Sequence, residues 1–101
     1  MRLIKELAVQ IEDEVDGCCE YAKAALTYKV SRPELARVYY QLANTEYDHC
    51  TMLHDWVMRI IDEAENSSTE PPKWMRNKWQ AKHDELVEKM AVAKTYISMY
   101  K

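Results

Sequence analysis

Glycine occurs once in 101 residues and proline three times. A sheet protein needs more turn residues than that, so a β fold is excluded and an all-α chain is expected. Cysteine is equally sparse. Cys18, Cys19 and Cys50 are an odd set with no C-x-x-C spacing, which argues against a disulfide framework. No apolar run approaches the roughly 18 residues of a membrane span. The opening MRLIKELAVQIEDE turns acidic before any signal-peptide core can form, so a reduced, cytoplasmic setting is the expectation. The chain also lacks a basic excess, its net charge being −3. That excludes a nucleic-acid binder, even though Lys73-Trp-Met-Arg-Asn-Lys-Trp79 interleaves bases with aromatics.

What is present is helix-forming. Ala, Leu, Glu, Lys, Met and Gln dominate, and 48% of the residues are apolar. That supports one modest core, so residues 1–101 read as a single domain. Charge is unevenly placed. Residues 1–70 carry 7 basic and 14 acidic side chains, a balance of −7, whereas residues 71–101 carry 7 and 3, a balance of +4. The C-terminal segment is therefore expected to dock on the acidic remainder, or on that surface of a second copy.

Three long helices are expected, over about 3–30, 33–65 and 72–100. In the first, Ile4, Ala8, Ile11, Val15, Cys18, Ala22 and Ala25 alternate in steps of four and three, the pattern of a bundle seam. Glu6, Glu12, Asp13, Asp16 and Glu20 point away from that seam, whereas Glu14 projects beside it. Ser31-Arg-Pro-Glu34 reads as a capping box that ends one helix and starts the next, making an antiparallel hairpin. Asn66-Ser-Ser-Thr-Glu-Pro-Pro72 is the one clear break. Beyond it, Met75, Trp79, Leu86, Met90, Ala93, Ile97 and Tyr100 mark the stripe of the third helix, with His83 among them.

The second helix holds the candidate site. Leu35, Tyr39, Leu42, Ala43, Cys50, Leu53, Val57, Ile60 and Ile61 form its apolar stripe. Glu46 falls within about 20° of the stripe's middle and His49 lies at its edge. A carboxylate there needs a compensating metal ion, basic partner or proton. Glu14 precedes the turn by about as many residues as Glu46 follows it, so their axial levels differ by about 3 Å. Two carboxylates and an imidazole then converge, a donor set that suits iron, manganese or zinc.

Glu14, Tyr21 and Ala43-Asn-Thr-Glu46-x-x-His49 with Leu53 resemble the first half of a ferritin-like or rubrerythrin-like domain. The resemblance covers about residues 10–57. It implies a four-helix-bundle core in which a Glu on one helix and Glu-x-x-His on the next bind a divalent metal, most often iron, with oxidation of ferrous ions as the activity. It implies Glu14, Glu46 and His49 as the metal ligands and Tyr21 as a hydrogen-bond partner to one of them. The second half of the pattern is missing, since Gln80 stands three residues before His83. In this respect the chain is similar to encapsulated ferritins, whose half bundles meet across a subunit boundary. A homodimer, or an assembly of dimers, is the expected partner arrangement.

Blander readings compete. Glu46 can be a buried acid paired to Lys, Arg or Tyr, Glu14 a helix-edge acid, and His49 a hydrogen-bonded interface histidine. The chain would then be a non-enzymatic helical oligomerisation module with no metal. His83 reads as a packing residue, His54 as a solvent-side one, and the cysteines, Trp56, Trp74 and Trp79 as core or interface mass. Glu85-x-x-Glu88 faintly echoes the carboxylates of all-α nucleotide pyrophosphohydrolases, but both point to solvent.

Overall fold

Each periodic stretch of the chain forms one long helix: α1 (Arg2–Tyr28), α2 (Pro33–Glu65) and α3 (Lys73–Tyr100). This computed structural model describes residues 2–66 and 73–101, with only the backbone of 73–75. Apart from Asn66, the expected break at Asn66–Pro72 lies outside the described residues, as do the side chains of Trp74 and Met75. All of the described secondary structure is helical.

Proline rather than serine sets the turn between α1 and α2. Pro33 occupies the first helical turn, and Arg32, extended at φ −144° and ψ 72°, is the N-cap without a side-chain capping bond. The capping box centred on Ser31 is therefore not formed. Pro33 requires a helix-compatible φ and drives the preceding residue into extended backbone, which moves the cap one residue on. Arg32 N–H donates to the Tyr28 carbonyl at 2.9 Å, closing the link.

The buried residues of α1 are Ile4, Ala8, Ile11, Val15, Cys18, Ala22 and Ala25, the full seam expected from the sequence. The side chains around the hairpin turn are small: Ala22, Ala25, Ala36 and Ala43 are all at most 1% exposed. That permits close approach of α1 and α2, and Cys18 Sγ donates to the Ala43 carbonyl at 3.1 Å. Larger residues fill the far end, where Ile11, Val15, Val57, Trp79 and Leu86 make one apolar cluster. Each large aliphatic side chain there contributes about 1.5–3 kcal/mol by leaving water.

On α2 the buried seam is Ala36, Ala43, Cys50 and Val57, one residue every seven. Ala43, Cys50 and Val57 belong to the expected stripe, whereas Ala36 does not. Leu35 and Leu42 are 40% and 39% exposed, because the tight alanine contact turns α2 by about 50° from the orientation its largest apolar residues favour.

α3 runs parallel to α1 and antiparallel to α2, and covers only one side of the hairpin. Its cations meet the acids of α1: Lys82 pairs with Glu12, and Lys89 reaches Asp16 at 3.6 Å. Lys23 lies over the Tyr96 ring and Lys94 over Tyr47. Tyr40 and Tyr100 stack with centroids 4.4 Å apart. Glu12, which the sequence pattern points away from the α1 seam, thus faces α3.

The hydrogen bond from Lys82 holds the Glu12 carboxyl below its ordinary 4.5, against a smaller opposing effect of burial. The same bond raises Lys82 above its ordinary 10.5, again against desolvation. The pair's contribution is therefore complete between those two values. It is lost as pH falls through the lowered carboxyl value, and again as pH rises through the raised ammonium value. Both side chains are about a third exposed, so the contribution is modest, about 0.5–1 kcal/mol. Glu12→Gln is expected to lower urea-unfolding stability by that amount at neutral pH. It should also flatten the acid limb of the stability profile below pH 4.5. An unchanged acid limb would mean that the pair contributes nothing.

Candidate metal centre

The side of the hairpin away from α3 carries three parallel columns of residues at seven-residue spacing. On α1 the column is Leu7, Glu14, Tyr21 and Tyr28. On α2 one column is Tyr39, Glu46, Leu53 and Ile60, and the next is Leu35, Leu42, His49 and Trp56. The Tyr39–Ile60 column is half-buried, and Leu35, Leu42, His49 and Trp56 are exposed. Tyr39 packs between Tyr21 and Tyr28, each with ring centroids 6.1 Å away.

Glu14, Glu46 and His49 meet in the middle of this face. One ligand atom from each lies within 4.8 Å of the others. His49 Nδ1 is 3.4 Å from Glu14 Oε2. Glu14 and Glu46 are half-buried and His49 is exposed. The three expected site residues thus come together, because the antiparallel hairpin brings the two carboxylates to one level. Glu46 sits at the margin of the buried seam rather than at its centre, as a result of the rotation of α2. Among the described residues Glu46 has no ion pair or hydrogen bond, so no lysine, arginine or tyrosine neutralises it.

Gly17 lies one turn from Glu14 on α1. A Cβ there would stand 3.7 Å from Glu46 Oε2, an ordinary contact, so the glycine leaves room beside the carboxylate without being sterically demanded by it. An open depression of about 470 Å³ borders the site, lined by Gln10, Asp13, Glu14, His49, Met52 and Leu53. Two carboxylate oxygen donors and one neutral nitrogen at such spacing fit iron, manganese or zinc.

The neighbouring thiols stay out of this chemistry. Burial pushes Cys50 up to about 12, with the charges of Cys18 and Glu14 adding to it, and pushes Cys18 up to about 11. A thiol must lose its proton to bind a metal, so at neutral pH both act as small core residues. Tyr21 makes no hydrogen bond to the three ligands among the described residues; its ring packs on Tyr39 instead. Glu85 is tied to Lys82 and Lys89 and Glu88 is exposed, and among the described residues the carboxylates of α3 form no candidate metal group.

Two features escaped the sequence reading. Lys82 and Lys89 on α3 reach Glu12 and Asp16 on α1, pairings that no spacing in the sequence singled out. His54, expected in solvent, is half-buried and bonded to His83 on α3. Tyr40, Tyr47 and His54 form a further seven-residue column, and α3 packs on it.

No protein-family model, curated protein or solved structure matches this chain.

Proposed function

We propose that this chain is a ferritin-like metal-binding protein whose centre is completed by a second copy of itself. One observation carries the reading: two carboxylates and an imidazole, with no lysine or arginine partner among the described residues, lie in the middle of columns that are otherwise aliphatic or aromatic. A two-fold axis through that face doubles the donors to four carboxylates and two imidazoles, and turns two hairpins into a four-helix bundle. It also covers Leu35, Leu42 and Trp56, which α3 leaves exposed. Glu14 and Glu46 would balance the charge of divalent iron, or of manganese or zinc, and His49 would supply a neutral nitrogen. Bound iron would bring one-electron chemistry toward oxygen or peroxide. The chain's own part is to hold the donors and to exclude bulk water through the apolar columns. Free thiols at Cys18, Cys19 and Cys50 accord with a reducing, cytoplasmic setting. Among the described residues, no helix is long and apolar enough to cross a membrane.

Native mass spectrometry with elemental analysis, after growth in iron- and manganese-rich medium, tests the reading. The expected species is a dimer, or an assembly of dimers, that carries metal. A metal-free monomer overturns the proposal. A metal-free dimer would instead make the Glu14–His49 contact a polar pair that sets register, as in a non-enzymatic oligomerisation module.

A further inference from the structure

A pair of histidines lies away from the Glu14–Glu46–His49 centre, between α2 and α3. We propose that His54 and His83 form a separate cation site, in which two imidazoles hold a zinc-class divalent ion that pins α3 to the hairpin. The proposal is independent of the Glu14–Glu46–His49 centre.

The two Nε2 atoms face each other at 2.7 Å, with ring centroids 4.8 Å apart. Two neutral imidazoles make such a contact only when one Nε2 carries a proton, which leaves the Nδ1 of that ring bare. The far sides of both rings favour a different tautomer. His54 Nδ1 lies 3.7 Å from Asp55 Oδ1, and His83 Nδ1 lies 3.7 Å from Asp84 Oδ1. His83 Nδ1 is buried and lacks a hydrogen-bond partner among the described residues. Both carboxylates are largely exposed, so a small rotation lets each accept the Nδ1–H of its neighbouring ring.

With both Nδ1 atoms protonated, both Nε2 lone pairs point at one place, and a cation relieves their repulsion. That is the carboxylate–histidine–metal arrangement, built twice. Trp79 packs 5.6 Å from the His83 ring and limits its rotation.

An all-nitrogen donor set selects zinc, copper or nickel over magnesium or calcium. The side chains are 29% and 22% exposed, so water can complete the coordination. Two zinc–nitrogen bonds of about 2.0–2.1 Å place the nitrogens about 3.3 Å apart in tetrahedral geometry. The pair then opens by about 0.6 Å, within the reach of side-chain rotation. Binding shifts a proton from Nε2 to Nδ1 within one ring, so neutral rings release none.

Zinc titration with thermal unfolding of the full chain tests the site. The background is Glu46→Ala/His49→Ala, which removes two donors of the other centre. At zinc about 100-fold above its dissociation constant, the Tm is expected to rise on the order of 10 °C. Adding His83→Ala, or the milder His54→Gln, should abolish that rise while far-UV circular dichroism remains helical. Copper(II) electron paramagnetic resonance on the same background should show coupling to two nitrogens. A Tm that does not respond in the background variant overturns the proposal. So does a rise that survives either histidine substitution, or copper coupled to fewer than two nitrogens.

Discussion

Glu46→Ala is expected to strip metal from the proposed Glu14–Glu46–His49 centre while leaving the helices and the proposed dimer intact. Glu46 provides one of the three donors, and in a two-fold assembly its loss removes two of six. Loss of an outer-sphere partner alone typically weakens metal binding 10–100-fold. Loss of a direct ligand from both copies should weaken it by at least about 100-fold. The fold survives because Glu46 makes no hydrogen bond or ion pair with the described residues, and because alanine is the better helix former. The dimer also survives, since the substitution takes two carboxylates out of an apolar contact. Elemental analysis should read near-zero metal, and native mass spectrometry should still read a dimer. Retained metal would remove Glu46 from the centre. A collapsed helical signal would make it a structural acid.

Leu42→Asp is expected to do the reverse, splitting the proposed dimer and releasing its metal with Glu14, Glu46 and His49 in place. Leu42 is 39% exposed and lies one seven-residue step before His49 in the same column. In a monomer this is a surface substitution worth within about ±0.5 kcal/mol. At a two-fold contact it appears twice, and both new carboxylates stand beside the existing Glu14 and Glu46 charges. A weakening of dimerisation by at least about 100-fold, or about 2.7 kcal/mol, is expected from sedimentation equilibrium. Metal affinity should fall with it, because a single copy holds only half of the donors. A Leu42→Asp protein that remains dimeric would show that the open face is not the interface. A monomer that binds metal as tightly as wild type would show that the site is not shared.

Much of this architecture is legible in residue spacing. The α1 seam from Ile4 to Ala25 is legible in full, because α1 is flanked by both other helices and the seam residues are all small or aliphatic. α2 is harder. The bulky Leu35, Leu42 and Trp56 outweigh alanine in any hydrophobic pattern, yet Ala36, Ala43 and Cys50 are the residues that are buried. Periodicity measures how greasy a face is, and close approach depends on how small it is. The Glu14–Glu46 match survives that error, because it depends on rise per residue along the hairpin and not on the rotation of α2.

The amino-acid sequence by itself determined three helices, a hairpin linked through Ser31–Glu34, and the matched levels of Glu14 and Glu46. These follow from local propensity, from proline's fixed φ and from a constant 1.5 Å rise per residue. Tertiary structure alone decided which face of α2 is buried, that Glu12 is held by Lys82, and that His54 meets His83 across α2 and α3. Those outcomes depend on how two cylinders rotate and settle against each other. Side-chain volume on both partners sets that rotation, and one helix's pattern cannot carry it.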